Sequence, residues 1–426
     1  MRNERTGNVE RVDLPMRAGA GGYYANLIRM YDYLDVPLHP VRFLFVFAKA
    51  LASASTSASS PLSEAARPED AGSAPGSYFV HASNLHKTPP PWPRGRGVAA
   101  HVFEILFLIV CQLWFSVACF LVPPVAGDGH DGETLAEYLE RVWLPQRYVS
   151  HYLLPLMSSV STCDHAEMLA FPASDVVNYK RLSHGQQHYA VCGGVHQVQS
   201  RLVRGVRDIR LGCRVVSIEA DSNEAGDGVL VRWQAGTGDV AEERFDRVVL
   251  AVSPDVAARI FRPLSMALGK MPTKWVESSV LSPRPGAFSV AHDGVAEGCA
   301  HHGDDKAPSQ VITFWSVFGD GARSEALHAM PGGVLVSTLP LGAAEDKAIL
   351  KTAGFTRTLR TPASRAATQR VMGGKPASDG HAHWVNGEDG VWVAGSWCWD
   401  GMVLLEGCVV SAMRVADDLG VRIPWR

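Results

Sequence analysis

The residues best suited to chemistry in this 426-residue chain lie near its C-terminal end, in the run Val391-Trp-Val-Ala-Gly-Ser-Trp-Cys-Trp-Asp-Gly-Met-Val-Leu-Leu-Glu-Gly407. Val391 to Ala394 is a short apolar run, the pattern of a buried parallel strand, and it breaks at Gly395-Ser396, where a backbone has to approach something closely. From Leu405, the residues Cys408, Val409, Ala412, Ala416 and Leu419 recur at helical spacing, and Gly420 stands where a left-handed C-terminal residue is expected. Met402, Val403, Leu404 and Leu405 offer no side chain to the first amides of that helix. Either Asp400 caps them or a ligand does; a helix start behind a glycine-bearing turn suits an anion or an electron-rich ring edge.

Other candidate groups are weaker. Cys163, Asp164 and His165 are adjacent, and three neighbours in sequence rarely face one point, so they read as polar groups of a helix start. Sixteen histidines include His301, His302, His381 and His383, but no third ligand accompanies the His-x-His pair and no metal site is expected. Eight cysteines without a C-x-x-C pair predict reduced thiols rather than a disulfide framework or a zinc site. Gly127-Asp-Gly-His-Asp-Gly132 fits G-x-G-x-x-G, yet it follows Pro123-Pro124 instead of a strand, and Asp128 and Asp131 would repel phosphate.

The elements that must position these residues are legible in outline. An apolar content of 46% in a chain of this length supports two or three domains, and a net charge of -3 leaves no basic stripe for nucleic acid. A glycine-rich loop from Arg17 to Tyr24 runs into an amphipathic helix from Asn26 to Leu34, after a strand at residues 8–14. Residues 51–77 and 88–97 are too poor in apolar side chains to order and read as a disordered insertion, with a strand at Tyr78 to Val80 between them. Ile105 to Val122 is the most apolar run, interrupted among polar types only by Gln112 and Ser116. It is a transmembrane candidate by length, but the resemblance given below implies that segments on both sides of it meet in one sheet, which a single crossing would separate, so a buried or membrane-dipping helix is the better reading. A helix follows at residues 133–142, capped by Asp131-Gly132, and strands at 213–218, 228–234, 243–251, 271–289 and 309–339.

The segment Ala394-Gly395-Ser396, followed by Leu405-Glu-Gly-Cys-Val-Val-Ser-Ala412, resembles the C-terminal flavin motif of the amine oxidase and phytoene desaturase superfamily. Further segments resemble that family in the same order: Val12-Asp13 through Leu34-Asp35-Val36, then Gly193-Gly194 through Leu202 with the strand at 213–218, then Phe245 to Pro254. Trp397 and Trp399 depart from it, standing where relatives carry smaller or polar residues. The resemblance implies an α/β fold: a FAD/NAD(P)-binding Rossmann-like domain, N-terminally incomplete, with an inserted mixed α+β substrate domain. On this reading residues 1–45, 185–260 and 355–426 form the FAD domain, and residues 46–184 and 261–354 the substrate domain. The first strand and the G-x-G-x-x-G loop, which need about thirty residues ahead of Asp13, are expected to lie outside this sequence.

FAD is the implied cofactor. The family's cofactor-binding positions carry over to Gly21, Gly22, Val215, Val216, Gly395, Ser396, Leu404 and Leu405. Amine oxidases often place a lysine by the flavin; Lys274 is nearest here but offset, so no catalytic residue is assigned. The implied activity is hydride transfer from a C-N or C-C bond of a small apolar or amine substrate to the flavin. The alternatives are a truncated, non-catalytic relative that cannot hold FAD, and a flavin-dependent isomerase or desaturase of apolar polyenes. The first thirteen residues contain no apolar h-region, so a cytoplasmic protein is expected, with peripheral membrane contact through Ile105 to Val122.

Overall fold

The structure is a computed structural model that describes residues 12–15, 18–50, 76–83, 90–93, 95–127, 132–221, 228–236, 238–269, 271–282, 309–330, 334–342, 349–373 and 384–426. The first half runs β1 (Gly19–Ala20), α1 (Ala25–Tyr33), β2 (Leu38–Lys49), β3 (Ser77–Ala82), α2 (Val98–Leu121), α3 (Leu135–Arg141) and α4 (Gln146–Tyr148). A π-helical turn, Val149–Leu153, leads into α5 (Leu154–Ser161), α6 (His165–Leu169), α7 (Ala173–Ser183), β4 (His188–Val191) and α8 (His196–Leu202). The second half holds β5 (Cys213–Asp221), β6 (Gly228–Ala235), β7 (Val240–Phe245), β8 (Val248–Leu250), α9 (Pro254–Ile260) and α10 (Ser265–Leu268). It closes with β9 (Thr273–Leu281), β10 (Ser309–Val317), β11 (Arg323–Ala329), β12 (Leu335–Thr338), β13 (Ile349–Thr358), α11 (Pro362–Val371), β14 (Val391–Val393) and α12 (Leu405–Asp418).

Among the described residues the strands make a nine-stranded sheet in the order β1-β4-β2-β10-β11-β12-β9-β13 with β3 also on β2, a three-stranded sheet β5-β6-β7, and the pair β14-β8. The centre of the large sheet is β2, whose period-two alternation sends Leu44, Val46 and Ala48 to one face and Phe43 and Phe47 to the other. The phenylalanine face is covered by α2 through α7, which join it to α1 and α12 in the main core.

The pair β14-β8 is parallel, in the register Val391 to Val248 through Val393 to Leu250. Its β14 strand is covered on both faces, which is why that sequence is apolar without alternation. Val391 and Val393 pack with Ile218, Val229, Ala257 and Phe261 on one side, while Trp392 and Ala394 meet Val415 of α12 on the other. A parallel pair with helices on both faces is the Rossmann-like part of the fold; the large sheet and its helices are the mixed α+β part.

Several expectations shift in detail. The strand expected at 243–251 is two strands, broken at Asp246 and Arg247, so that β7 closes the antiparallel sheet while β8 joins β14. The cap of α3 is Thr134, not Asp131-Gly132: its hydroxyl accepts from Glu137 N and the Glu137 carboxylate accepts from Thr134 N, a reciprocal capping box. Val12 to Leu14 are not a strand, and the rest of the strand expected at 8–14 lies outside the described residues, as do residues 51–75 of the expected insertion. The expected domain limits at 45 and 355 fall within β2 and β13. Asp35 adopts the left-handed conformation, with φ 52°.

Candidate functional site

The strand β14 hands its chain to Gly395 with Ala394 N still donating to Leu250 O at 3.0 Å. Ser411, one turn and a half into α12, ties this strand end to the helix: its hydroxyl accepts from Gly395 N at 2.9 Å and lies 2.7 Å from Gly407 O. The segment between them is held from below. Trp397 is buried and its indole N–H donates to Val252 O at 3.0 Å. Arg360, also buried, donates to Trp397 O at 2.6 Å and Trp399 O at 2.7 Å. Beneath it Asp175, 1% exposed, lies 3.8 Å from Arg360 and 3.1 Å from Arg365. Burial pushes the Asp175 carboxyl up and the two guanidinium groups pull it back. A buried arginine is tolerable only when its charge and donors are matched: the two loop carbonyls accept its hydrogen bonds, and Asp175 offsets its charge from 3.8 Å without a hydrogen bond.

No side chain caps α12. Asp400 points elsewhere, accepting from Gln369 Nε2 at 2.9 Å and lying 3.6 Å from Arg365, so the simpler of the two capping expectations fails. On the inner side the helix start is filled by protein: Trp399 donates to Met402 O at 3.0 Å, and a Cβ on Gly407 would stand 2.4 Å from the Trp399 indole nitrogen and 2.6 Å from Ser396 O. Gly407 is therefore required by the chain's own tryptophan. On the outer side Gly395, Ser396, Leu405 and Cys408 are half-buried, while Met402, Val403 and Leu404 are buried.

One residue of this stretch has a role that sequence patterns did not show. Glu406, buried, accepts from Asn26 N at 2.9 Å, Asn26 Nδ2 at 2.7 Å and Leu27 N at 3.0 Å. It thus caps the N-terminus of α1, which has no cap of its own. Its sequence signal was a lone carboxylate in the apolar run Leu404-Leu405-Glu406-Gly407-Cys408.

The expected cofactor residues fall into separate groups. Gly21 and Gly22 lead into α1; a Cβ on Gly22 would stand 2.2 Å from Leu182 O, so the close approach there is to α7. The next residue, Tyr23, donates to Met402 O at 3.3 Å and packs edge-on against Trp399, which brings this turn beside Leu404 and Leu405. Val215 and Val216 sit on β5 of the three-stranded sheet, both exposed, with Val216 the unpaired residue of a bulge. Val249 on β8 is likewise 46% exposed.

The other candidate groups are structural. Asp164 caps α6 in a box with Glu167. Lys274 bridges that box, 3.0 Å from Asp164 and 2.6 Å from Glu167; burial works to lower its pKa, and these hydrogen bonds outweigh burial and raise it. Burial pushes the Cys163 thiol up to about 12 and His165 down to about 4, with His165 Nε2 2.9 Å from Ser324 Oγ. None of the seven described cysteines forms a disulfide, and no group of metal-ligating side chains occurs among the described residues. His301, His302, His381 and His383 lie outside them.

Residues 135–284 match the family described as flavin containing amine oxidoreductase, roughly a third of the chain, running from α3 to β9. Over that stretch the chain is similar to the flavin-containing amine oxidases, a family whose cofactor is FAD. Among solved structures it is similar to cyclohexylamine oxidase from Brevibacterium oxydans IH-35A, at 13% identity and a TM-score of 0.49, over 95% of this chain and 88% of that one. It is also similar to wild-type putrescine oxidase bound to putrescine, at 14% identity and a TM-score of 0.46, over 94% of this chain and 86% of that one. No curated protein matches the sequence.

A helix start without a side-chain cap behind a glycine turn is compatible with one wall of a flavin site. The start of α12 has no side-chain cap, and Gly395, Ser396 and Leu405 beside it are half-buried. Among the described residues no glycine-rich phosphate loop faces it.

Proposed function

We propose that this chain is an FAD-dependent oxidoreductase of the amine oxidase type, acting on a small apolar or amine-bearing substrate. The observation that carries this reading is the parallel pair β14-β8 delivering Gly395-Ser396 to a helix start that no side chain caps. Gly395 and Ser396 would lie along the diphosphate, and the Leu405 amide would face the isoalloxazine beside Leu404, whose own amide donates to Met402 O at 2.7 Å, with the helix dipole favouring negative charge there. Bound FAD would supply the hydride acceptor. The chain's part is to orient it: Arg360 and Ser411 fix the loop and helix start in one geometry, and Trp397 and Trp399 exclude water from beneath them.

A second reading, a non-catalytic relative, is favoured by Trp399, which fills the inner side of the helix start, and by Lys274, which is committed to Asp164 and Glu167. Soaking the purified chain with FAD and removing free cofactor distinguishes the two. The first reading requires flavin absorbance in the blue that is retained on the protein and lost in Gly395→Trp. A protein that stays colourless supports the second.

A further inference from the structure

We infer that the outer face of α2 is a docking surface for an anionic lipid bilayer, which the helix enters lengthwise without crossing it. Its 24 residues extend about 36 Å. One stripe, from His101 and Glu104 through Cys111 and Phe115 to Cys119, is buried against the domain along the whole helix. The opposite stripe carries Phe103, Leu106, Ile109, Val110, Leu113 and Leu121, with Phe103 73% and Leu121 74% exposed. Mean hydropathy over its apolar window is 2.2, and only 33% of that window is buried. No charged side chain interrupts the exposed stripe, and its polar member Gln112 is engaged by the Tyr148 hydroxyl. An exposed apolar strip of this length is what an interfacial helix presents to the boundary of headgroups and acyl chains.

Two features select a bilayer as the occupant. First, the full-length buried stripe leaves no way for lipid to surround the helix, so the fit is to a surface. Second, the flanks are electrostatically sorted. Arg147 lies over the Phe107 ring and Arg181 over the Phe120 ring, at 5.0 and 5.8 Å. The Arg147 side chain is 51% exposed while its partner Glu104 is 5% exposed, and Arg141 is 37% exposed while its partner Glu133 is 7% exposed. These guanidinium groups therefore look outward and their carboxylates inward, although Glu137 and Glu140 of α3 are also exposed. Arginines bordering an apolar strip suit phosphate and carboxylate headgroups. Trp143, 86% exposed on the turn after α3, and Trp114, whose indole donates to Val142 O at 2.7 Å, stand where an amphipathic ring would sit at headgroup level. The inference is independent of the flavin reading.

The test is flotation of the purified full chain with vesicles of phosphatidylcholine alone and of phosphatidylcholine with phosphatidylserine. The chain is expected to float with the serine-containing vesicles, less so at high salt. The Phe103→Glu, Leu113→Glu double variant should bind roughly tenfold or more weakly while its circular dichroism and melting stay unchanged, since both positions are exposed. Quenching of tryptophan fluorescence by brominated lipid, reduced in Trp143→Phe, gives a readout that does not depend on the charged variants. Failure of the chain to float with either vesicle, equal flotation of the double variant, or a dimer that the double variant dissociates while flotation is absent would each overturn the inference.

Discussion

Replacing Glu406 by Ala tests whether the two ends of the described chain are one mechanical unit. The carboxylate accepts three hydrogen bonds, two of them from the backbone amides of Asn26 and Leu27 at the start of α1. Hydrogen bonds to a charged group contribute about 1.5–3 kcal/mol each, they are not additive, and orphaned amides add their own penalty, so a loss of about 3–5 kcal/mol is expected for Glu406→Ala. Glu406→Gln keeps one acceptor but turns an amide NH2 toward donors, and about 2–3 kcal/mol should be lost. Part of the difference is the interaction of the negative charge with the α1 dipole. Urea denaturation gives the global change, and hydrogen exchange at Asn26, Leu27 and the following α1 amides locates it. If Glu406→Ala left α1 protection as in the parent and moved stability by less than about 0.5 kcal/mol, the remote cap would contribute nothing and the reasoning would fail.

Arg360→Met should destabilise by about 3–5 kcal/mol, because Asp175 loses a partner and the carbonyls of Trp397 and Trp399 lose their donors; a simultaneous Asp175→Asn should recover part of that loss in a double-mutant cycle, and independent additive losses would refute the network. His165, held down to about 4 by burial against an ordinary 6.5, favours the fold while neutral: its contribution is complete above pH 6.5 and declines as pH falls toward 4, by at most about 1.4 kcal/mol per pH unit. Urea midpoints at pH 7 and pH 5 should therefore differ less in His165→Gln than in the parent, and parallel shifts would contradict the assignment.

Local patterns in the sequence were enough to place β14, α12 and the left-handed Gly420, whose φ is 66°, because apolar periodicity and a terminal glycine are determined within a few residues. The capping box Thr134-x-x-Glu137 was equally local, and it outcompeted the Asp131-Gly132 cap expected from turn chemistry alone. What sequence could not give were the partners of charged groups. Glu406 meets Asn26 across 380 positions, and Arg360, just ahead of α11, meets Asp175 of α7, so only the assembled fold defines either role. Asp400 shows the converse: a residue of the right type at the right spacing for a cap was diverted to Gln369 and Arg365 by tertiary geometry. Val215 and Val216 were found on a strand as expected, but their exposure reflects how the small sheet stands against its neighbours, which periodicity does not encode.

The short parallel pair is lopsided. The far side of β14 is closed, with Gly387 N bonded to Val391 O at 2.9 Å and Val393 N to Asn386 Oδ1 at 2.7 Å, whereas no described strand lies beyond β8. Growth of that sheet is therefore one-directional: among the described residues an added strand could pair along the outer edge of β8, where Val249 is 46% exposed, and not along Val391–Val393.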